Sequence, residues 1–376
     1  MKTTNEKTIE LVRQLSDAFG PSGKEDEVQT LIKDELDNEY VIRQDSIGNL
    51  YVSDKTQQET PAILLDAHLD EVGMMVQSVE ANGTIAFLPL GGWDPVVLPG
   101  TSVIIEKKSS DEPFQSGIIA SVPVHFQQGP KEAGLQISSL RVDVGASDKE
   151  ETLSWGIEPG CFMTSDVKCS FDEKRNLFKG KAFDDRIGCA AEILTLRELP
   201  ETLRPFVQGL FTAQEEVGER GMMAAVDQVK SCKLAICFEG CPADDTIPGL
   251  ADPQSAMNSG IMIRAMDRSM ITEPHWIAFA AETAKENHIP LQIAVRAGGG
   301  TNGGILHTHN IPTIVIGIPV RYAHTPVGYC SKNDLDDAVK LSLAIIEKVA
   351  GLKEGTVQST DPNEQWVLDQ LIGNHG

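Results

Sequence analysis

The sequence of 376 residues has few basic side chains: 32 lysines and arginines stand against 55 aspartates and glutamates. The resulting formal net charge of −23 at pH 7 gives a surface that repels phosphate backbones and anionic lipid headgroups. We therefore expect neither a nucleic-acid partner nor a membrane partner. The same surplus of carboxylates is compatible with a site for metal cations.

Long apolar segments are also lacking. The longest nearly apolar run, residues 311–320, contains two prolines and is too short to cross a bilayer. The opening residues, MKTTNEKTIE, contain neither the apolar region nor the cleavage site of a signal peptide. The seven cysteines, an odd number without regular spacing, argue against a secreted disulfide framework. Together these features predict a cytoplasmic protein.

The composition is otherwise that of a globular protein. Hydrophobic residues make up 41% and charged residues 23% of the chain, enough for a sizeable core, so disorder and coiled coil are excluded as the main state. The length predicts two or three domains. Cys232, Cys237 and Cys241 are spaced closely enough for a zinc knuckle, but they lack a matching ligand pair. Burial in a strand is the favoured interpretation for at least two of them.

Patterns of apolar residues divide the chain into two kinds of sequence. Near both ends, amphipathic helices alternate with short buried strands, which predicts an α/β fold with a largely parallel sheet and helices on both faces. Between residues 71 and 171, short β-rich runs alternate with glycine and proline turns, and no helical period is convincing before Lys149. We therefore predict a discontinuous larger domain of residues 1–70 and 172–376 and an inserted β-rich domain of residues 71–171.

The predicted elements of the larger domain follow from these patterns. The helices are predicted at residues 6–19, 28–36, 188–199, 273–286 and 335–349, and the strands at residues 61–65, 206–212, 234–238, 260–264, 291–295 and 313–318.

Histidine and carboxylate side chains stand at the ends of several predicted strands or close after them. They are His68, Asp184, Asp185, Glu215, Glu216, Glu239 and His324. Each one alone would be explained as a structural histidine or a solvated cap, but sites in open α/β sheets form at the carboxyl ends of strands, where all of these lie. Two histidines among carboxylates suit zinc, cobalt or manganese, whereas calcium prefers oxygen ligands alone.

The adjacent pair Glu215 and Glu216 adds a condition. Successive side chains of a strand point to opposite faces, so both glutamates can serve one site only if the strand has ended. In that case Glu216 can bind a metal while Glu215 reaches a metal-bound water.

Five stretches of the sequence resemble the M42 family of metallo-aminopeptidases, which includes glutamyl aminopeptidases, tetrahedral aminopeptidases and members labelled endoglucanases. The stretches are DAHLDEVG at residues 66–73, GGWDP at 91–95, KAFDDRIG at 181–188, QEEVG at 214–218 and RYAHTP at 321–326. They extend over most of the chain, including the insertion, and their combination is highly specific. The resemblance implies a three-layer α/β/α catalytic domain of the zinc-exopeptidase type with a small inserted β domain.

The resemblance also implies two divalent metal ions per subunit, zinc or cobalt, with manganese as an alternative. His68 and Glu239 would hold one ion. Glu216 and His324 would hold the other, and Asp184 would bridge both.

The activity implied is removal of the N-terminal residue from peptides. Glu215 would act as general base and then general acid on a metal-bridged water, and Asp70 would fix the imidazole of the preceding histidine. Asp185 would follow the bridging aspartate through an unusual, cis peptide bond. Residues 71–171 would serve oligomerisation, with a dimer as building block and a hollow dodecamer as the larger assembly.

The sequence departs from the family pattern at two positions. Glu239 stands where the family usually has aspartate, which lengthens the reach of the carboxylate, and Asp244 or Asp245 would replace it if the loop were shifted. Asn302 stands where the family more often has aspartate, which removes a charge near the site. The glycines at residues 298–300 precede no helical pattern of the kind that cradles phosphate.

Other functions would use the same residues differently. A dinuclear deacylase or dipeptidase shares the ligands but acts on another substrate. A glycoside hydrolase would pair Glu215 with a second carboxylate and would keep its activity without metal, but it leaves His68 and His324 unexplained. An assembly protein with a vestigial site would have lost Glu215 or several ligands, and the sequence retains them.

Overall fold

The computed structural model describes residues 4–56, 61–108, 112–121, 124–126, 134–354 and 362–372. The chain begins with α1 (Thr4–Asp17), α2 (Asp26–Leu36), β1 (Tyr40–Gln44), β2 (Leu50–Asp54) and β3 (Ile63–His68). It continues with β4 (Gly73–Val79), β5 (Ile85–Leu90), β6 (Ser102–Glu106), β7 (Phe114–Ile119), β8 (Val142–Asp143), α3 (Lys149–Ser154) and β9 (Phe162–Ser165).

The remaining elements return to alternating strands and helices. They are β10 (Ser170–Asp172), β11 (Leu177–Gly180), α4 (Phe183–Glu198), β12 (Val207–Thr212), α5 (Arg220–Val229), β13 (Leu234–Pro242), β14 (Ile261–Met266), α6 (Pro274–Glu286), β15 (Leu291–Val295), α7 (Asn302–Thr308), β16 (Thr313–Arg321), β17 (Gly328–Ser331), α8 (Lys332–Glu354) and α9 (Pro362–Ile372). Among the helices described, none is long and apolar enough to cross a membrane.

The large sheet has eleven strands and is mixed. Its main path runs β1-β2-β12-β3-β13-β16-β17-β11-β10, and β14 with β15 branches from β16. The four central strands, β12, β3, β13 and β16, are parallel, and the strands of the main path outside them pair antiparallel. The prediction of a largely parallel sheet is therefore right for the centre and for the branch pair β14–β15, but not for the flanks of the main path. Three of the flanking pairs, β1–β2, β10–β11 and β16–β17, are joined by connections of a few residues, too short for the crossover that parallel strands require.

Helices cover both faces of the sheet, which gives the three predicted layers. Ile63 and Leu65 of β3 belong to the large core cluster with α1, α2, α4, α6 and α8. Leu64, between them, belongs to a second cluster with α5 and α7 on the other face. Alternating side chains of one strand are thus buried on both sides, as expected for a strand at the centre of a parallel sheet.

The segment from β4 to β9 forms a closed barrel in the order β4-β5-β8-β7-β6-β9. It has a core of its own, which includes Met74, Phe87, Val103 and Met163. In chain order the barrel lies between β3 and β10 of the large sheet. The domain division at residues 71–171, and its part in oligomerisation, stay predictions that this arrangement supports.

Several predicted element ends differ from the structure. Strands β13 and β16 continue beyond the predicted ends because they pair with each other as far as Pro242 and Val320, although glycines and prolines suggest earlier breaks. Glu239 therefore lies inside β13 rather than at its end. A short helix, α7, follows the glycines at residues 298–300, contrary to prediction; the side chain of Thr301 caps it by accepting a hydrogen bond from Gly303 N. The sequence shows no helical pattern there, because the glycines of this segment have low helix propensity.

A buried glutamate, Glu71, fastens the barrel to the sheet domain. Its Oε2 accepts a hydrogen bond from Thr164 of β9 at 2.8 Å, and its Oε1 lies 2.6 Å from the ammonium of Lys181. The side chains of Glu71 and Lys181 are each 3% exposed. Loss of either partner of such a buried pair would leave the other charge uncompensated.

We expect Glu71→Ala to lower stability by roughly 3–5 kcal/mol, because it leaves the buried ammonium of Lys181 without its carboxylate. The midpoint of urea unfolding measures the change. Glu201→Ala, at an exposed position, is the matched control and should leave the midpoint unchanged. Equal midpoints for the two variants would contradict the fastening role.

Candidate metal centre

The structure brings the five predicted metal ligands together in two clusters. His68, Asp184 and Glu239 form one, and Asp184, Glu216 and His324 form the other. Within each cluster, one candidate ligand atom per residue lies within 4.8 Å of the others. Asp184 is common to both clusters.

The carboxylate of Asp184 faces a different imidazole with each of its oxygens. Its Oδ1 lies 3.2 Å from His68 Nε2, and its Oδ2 lies 3.3 Å from His324 Nε2. The same nitrogen of His324 is 3.4 Å from Glu216 Oε2. One carboxylate oxygen is therefore available to each of two neighbouring cation positions.

The parallel centre of the sheet explains why these residues meet. Thr212 of β12 is paired in register with His68 at the end of β3, and Cys237 of β13 is paired with Asp66. Counting two residues along each strand puts Glu239 level with His68, so the glutamate reaches the site although its strand continues. Asp184 approaches from the start of α4, where the peptide bond to Asp185 is cis, as the resemblance implies.

Asp70 connects the histidine with the two adjacent glutamates. Its Oδ1 accepts a hydrogen bond from Glu215 N at 2.8 Å, and its Oδ2 accepts one from Glu216 N at 3.1 Å and one from Ser22 Oγ at 2.6 Å. The Nδ1 of His68 lies 3.1 Å from the Asp70 carbonyl oxygen and 3.5 Å from Oδ1. Because a carbonyl only accepts, Nδ1 donates, and Nε2 is the nitrogen left for a metal.

The loop of the barrel segment at residues 91–95 contributes a contact that the sequence does not reveal. The Gly92 carbonyl accepts a hydrogen bond from His324 Nδ1 at 2.8 Å, which leaves Nε2 facing Asp184. A Cβ on Gly91 would lie 2.7 Å from Val72 and 3.2 Å from the Glu216 carboxylate. These glycines let the barrel backbone approach the site, so the barrel helps to orient one of its imidazoles.

The charged groups of the site have strongly shifted pKa values. Burial, with nearby carboxylates, raises the pKa of Glu216 to about 8 and that of Glu239 to about 7. Burial opposes the charged form of His324, but Asp184 and Glu216 outweigh it and raise its pKa to about 10. Within the described part of the chain, the buried Glu216 Oε1 has no hydrogen-bond partner. Crowded carboxylates and an unpaired buried oxygen fit a site for divalent cations.

Glu215 stands beside the two clusters and belongs to neither. Its Oε2 is 3.9 Å from His68 Nε2, and burial together with Glu239 and Glu216 raises its pKa well above the usual range. Strand β12 ends three residues earlier, and Gln214 adopts a left-handed backbone with φ of 57°. The strand has therefore ended, and both glutamates reach one site, as the sequence requires.

The two departures from the family pattern have structural counterparts. Asn302, 2% exposed, donates from Nδ2 to Asp66 Oδ2 at 3.1 Å and to Thr212 Oγ1 at 2.6 Å. The amide thus stands beside a buried carboxylate, so the local negative charge is held by Asp66. Asp244 and Asp245 do not replace Glu239, because they lie in ion pairs with Arg296 and Arg321 instead.

Cys232, Cys237 and Cys241, for which a zinc knuckle was the less favoured interpretation, belong to none of the possible metal clusters found among the described residues. All seven cysteines are free thiols, and Cys237 and Cys241 are buried in β13. The favoured interpretation as buried strand thiols is confirmed for these two.

A cavity of about 380 Å³ lies against both clusters. Its walls include Glu215, Glu239, Met262, Arg264, Arg296 and the glycines at residues 298–300. The two arginines were not singled out by the sequence, although a charged residue at the end of the predicted strand at residues 260–264 is a signal that could have identified the first of them.

We expect divalent metal binding to tighten as the pH rises from about 6 to about 8, because Glu239, Glu216 and His324 must lose protons to bind and their pKa values are raised. Calorimetric titration with Mn²⁺ in two buffers of different ionisation enthalpy measures the protons released. An affinity independent of pH, with no buffer dependence of the heat, would contradict this site chemistry.

We expect Asn302→Asp to destabilise the protein at high pH and to be tolerated at low pH. The new carboxyl would face Asp66, whose pKa burial already raises to about 7, so the folded pair needs a shared proton. A folded-state pKa above the unfolded value means that this stability is present at low pH and is lost as the pH rises. Thermal midpoints at pH 5 and pH 8 test this, and adding Asp66→Asn should restore the midpoint at pH 8.

Comparison with known proteins gives the family. The family model described as M42 glutamyl aminopeptidase matches residues 48–341. A glutamyl aminopeptidase of Lactococcus lactis is 29% identical over 91% of this chain and 98% of its own length. The crystal structure of a TET aminopeptidase from a marine sediment Thaumarchaeota archaeon has a TM-score of 0.83 at 32% identity, covering 90% of this chain and 96% of that one.

A second solved structure has a similar fold. It is the Pyrococcus horikoshii TET1 peptidase, described as able to assemble into a tetrahedron or a large octahedral shell, with a TM-score of 0.80 at 27% identity, covering 90% of this chain and 99% of that chain. From the match over residues 48–341 and these likenesses, the chain belongs to the M42 peptidase family, a family of aminopeptidases.

Proposed function

We propose that this protein is a dinuclear metal-dependent aminopeptidase that removes the N-terminal residue from peptides. The observation that carries the proposal is the position of Asp184, whose two carboxylate oxygens face His68 and His324 respectively. A single-metal site needs no shared carboxylate with an imidazole on each side. Membership of a family of aminopeptidases supports the choice of substrate class.

In this proposal, His68 and Glu239 hold one divalent ion, Glu216 and His324 hold the second, and Asp184 is shared. Zinc or cobalt fits the mixture of imidazole and carboxylate donors, with manganese as the alternative. Bound ions supply Lewis acidity, which lowers the pKa of water and polarises the scissile carbonyl.

Glu215 is proposed as the general base and acid. Its backbone N–H is held by Asp70, and its carboxylate lies beside both clusters without belonging to either, so it is free to exchange a proton. It would take a proton from the attacking water and return it to the leaving amine. Asp70 acts through its neighbours, because it fixes both this turn and the imidazole of His68.

The proposed restriction of cleavage to the N-terminal residue is explained by the negative charge of the cavity wall. The cavity wall carries several carboxylates, and a free α-amine at the end of a peptide is the cation that complements them. A peptide bond in the middle of a chain has no such charge to place there.

We further propose that the protein is a homo-oligomer built from dimers, with a dodecamer as the larger form, and that the barrel segment mediates assembly. The likeness to a peptidase that forms closed shells supports this. The barrel segment also exposes large apolar side chains: Val96 is 71%, Ile118 53% and Phe126 75% exposed. Exposed apolar groups of this kind are typical of protein contacts.

The function is tested by stripping the protein of metal and assaying a panel of aminoacyl-p-nitroanilides with zinc, cobalt or manganese restored. Activity that depends on metal and requires a free α-amine is expected. Hydrolysis only of N-acylated substrates would favour the deacylase alternative, and sugar hydrolysis that survives metal removal would favour a glycoside hydrolase.

Paired variants test the roles of the adjacent glutamates. Glu215→Gln should keep both metals and lower kcat by roughly two to four orders of magnitude, the usual contribution of general acid–base catalysis. Glu216→Gln should lose metal, and excess zinc or cobalt should restore part of its activity. Metal content and turnover are measured on both variants. Metal loss by Glu215→Gln with retention by Glu216→Gln would reverse the assignment.

A further inference from the structure

The turn that carries the two adjacent glutamates is also held by a carboxylate from the loop between α1 and α2. Glu25 Oε1 accepts a hydrogen bond from Gln214 N at 3.2 Å and another from Gly23 N at 2.7 Å. The next two N–H groups of the turn, those of the adjacent glutamates, are bound by Asp70. Three successive backbone N–H groups are thus bound by carboxylates from two different parts of the chain.

Gln214 is the residue at which the chain changes direction after β12. The strand ends at Thr212, and in an extended continuation the next side chains would alternate between faces. Gln214 instead has a left-handed backbone with φ of 57°, a conformation that is unfavourable for a residue with a Cβ and persists where its surroundings hold it. The hydrogen bond to its N–H is therefore placed where it helps both adjacent glutamates to face the site.

Glu25 is buried and occupies the N-cap position of α2, but its side chain does not cap that helix. The residue is 4% exposed, and its side chain accepts no hydrogen bond from the first turn of α2. An acidic N-cap is ordinarily explained by its own helix. Here the carboxylate oxygen binds a backbone N–H 189 residues away instead, which indicates a role at the distant turn.

The loop that carries Glu25 is in contact with the barrel on its other side. Lys24 Nζ lies 3.3 Å from a carboxylate oxygen of Glu106 in β6. A Cβ on Gly23 would lie 3.7 Å from the ring of Phe162 in β9. Because these contacts help to fix the loop, Glu25 offers the turn an acceptor at a defined position.

A hydrogen-bond acceptor, rather than a charge, is what Glu25 offers the turn. Burial, and after it the carboxylate of Asp70, raises the pKa of Glu25 to about 7. Both the charged and the neutral carboxyl keep an oxygen that can accept from a backbone N–H. A glutamine side chain has a similar shape and also has a carbonyl oxygen, so substitution by glutamine separates hydrogen bonding from charge.

From these contacts we infer that Glu25 is a positioning residue for the proposed general base: by binding Gln214 N, it keeps the carboxylate of Glu215 in place beside the two clusters. This role rests on the proposed aminopeptidase function and adds a residue that acts on the reaction only through Glu215. Without the acceptor the turn relaxes and Glu215 moves, and a misplacement on the order of 1 Å costs about 100-fold in rate. The metal ligands remain, because Asp70 still binds Glu216 N.

The first test compares kcat, KM and metal content of three variants at saturating zinc or cobalt. Glu25→Ala should lower kcat by roughly 10- to 100-fold and leave KM and metal content close to wild type. Glu25→Gln should recover most of kcat, because it restores an acceptor. Asp34→Ala, at an exposed position of α2, is the control and should keep the wild-type kcat. Wild-type kcat in Glu25→Ala, metal loss in that variant, or equal impairment of both Glu25 variants would each overturn the proposal.

A double-variant cycle then shows whether the effect of Glu25 is exerted through Glu215. Glu25→Ala combined with Glu215→Gln should be little slower than Glu215→Gln alone, because a positioning residue has no effect once the group that it positions is lost. A further loss of roughly 10- to 100-fold in the double variant would refute this role. Wild-type kcat in Glu215→Gln alone would instead refute the general base of the proposed function, so the two failures are distinguishable.

Amide hydrogen exchange supplies a readout that does not require turnover. Exchange of the Gln214 amide, followed by mass spectrometry of the peptides that contain it, should be faster in Glu25→Ala than in wild type and close to wild type in Glu25→Gln. If no aminoacyl substrate is hydrolysed with any metal, the proposed function fails, and this measurement still decides whether Glu25 holds the turn. Unchanged exchange in Glu25→Ala would contradict that contact.

A shorter carboxylate serves if Glu25→Ala fails to fold. Glu25→Asp keeps the charge but lacks one methylene, so its oxygen does not reach Gln214 N from the same backbone position. It should show the same lower kcat and the same faster exchange of the Gln214 amide. Wild-type values of both quantities would overturn the proposal.

Discussion

Mutual repulsion among buried carboxyl groups governs the arrangement around the candidate metal centre. Asp184, Glu215, Glu216 and Glu239 lie close together, and the positive groups near them in the described part of the chain include two imidazoles and the guanidinium of Arg264. Burial, and after it the neighbouring carboxylates, raises the pKa values of Glu215, Glu216 and Glu239, whereas the two histidines lower the pKa of Asp184. A concentration of like charge can be stable in a folded protein only with compensating cations or protons. The fold around it is organised to hold the groups in place despite their repulsion.

The carboxyl groups are held in place mainly by side chains that do not themselves face the metal centre. Asp70 binds the backbone of the turn that carries both adjacent glutamates, and also orients His68. Glu71, the next residue, ties the same stretch to Lys181 and to the barrel. Of the two successive acidic residues after β3, Asp70 thus contacts the residues of the metal centre, and Glu71 contacts the barrel. This division explains why the stretch after β3 is so rich in charge although it is buried.

Much of this could be predicted from the sequence, because the relevant signals are local. His68 and the adjacent glutamates stand at the end of an apolar run or close after it, and parallel strands bring such ends to one edge. The alternation of strands and helices likewise predicts the α/β class. Glu239 lies level with His68, beside the site for which it was predicted. Its strand, however, continues beyond this position instead of ending there.

What escaped prediction depends on contacts between distant parts of the chain. Gly92 and His324 are 232 residues apart in sequence, and no local pattern indicates that a carbonyl of one orients the imidazole of the other. The antiparallel pairs β1–β2, β10–β11 and β16–β17 depend on the lengths of their connections, and the pairs β2–β12 and β11–β17 join strands far apart in sequence. The short helix α7 has two glycines in its first turn, so its cap and its tertiary contacts decide its conformation more than its intrinsic propensity does.

The contact from the barrel loop to His324 is made by a peptide carbonyl, and every residue type has one. The loop therefore requires residues without side chains at positions 91 and 92. A Cβ on Gly92 would come within 3.1 Å of the imidazole, and a Cβ on Gly91 would contact Val72 and Glu216. In the assembly role that we propose for it, the barrel would contribute side chains, whereas to the centre it contributes a main-chain carbonyl.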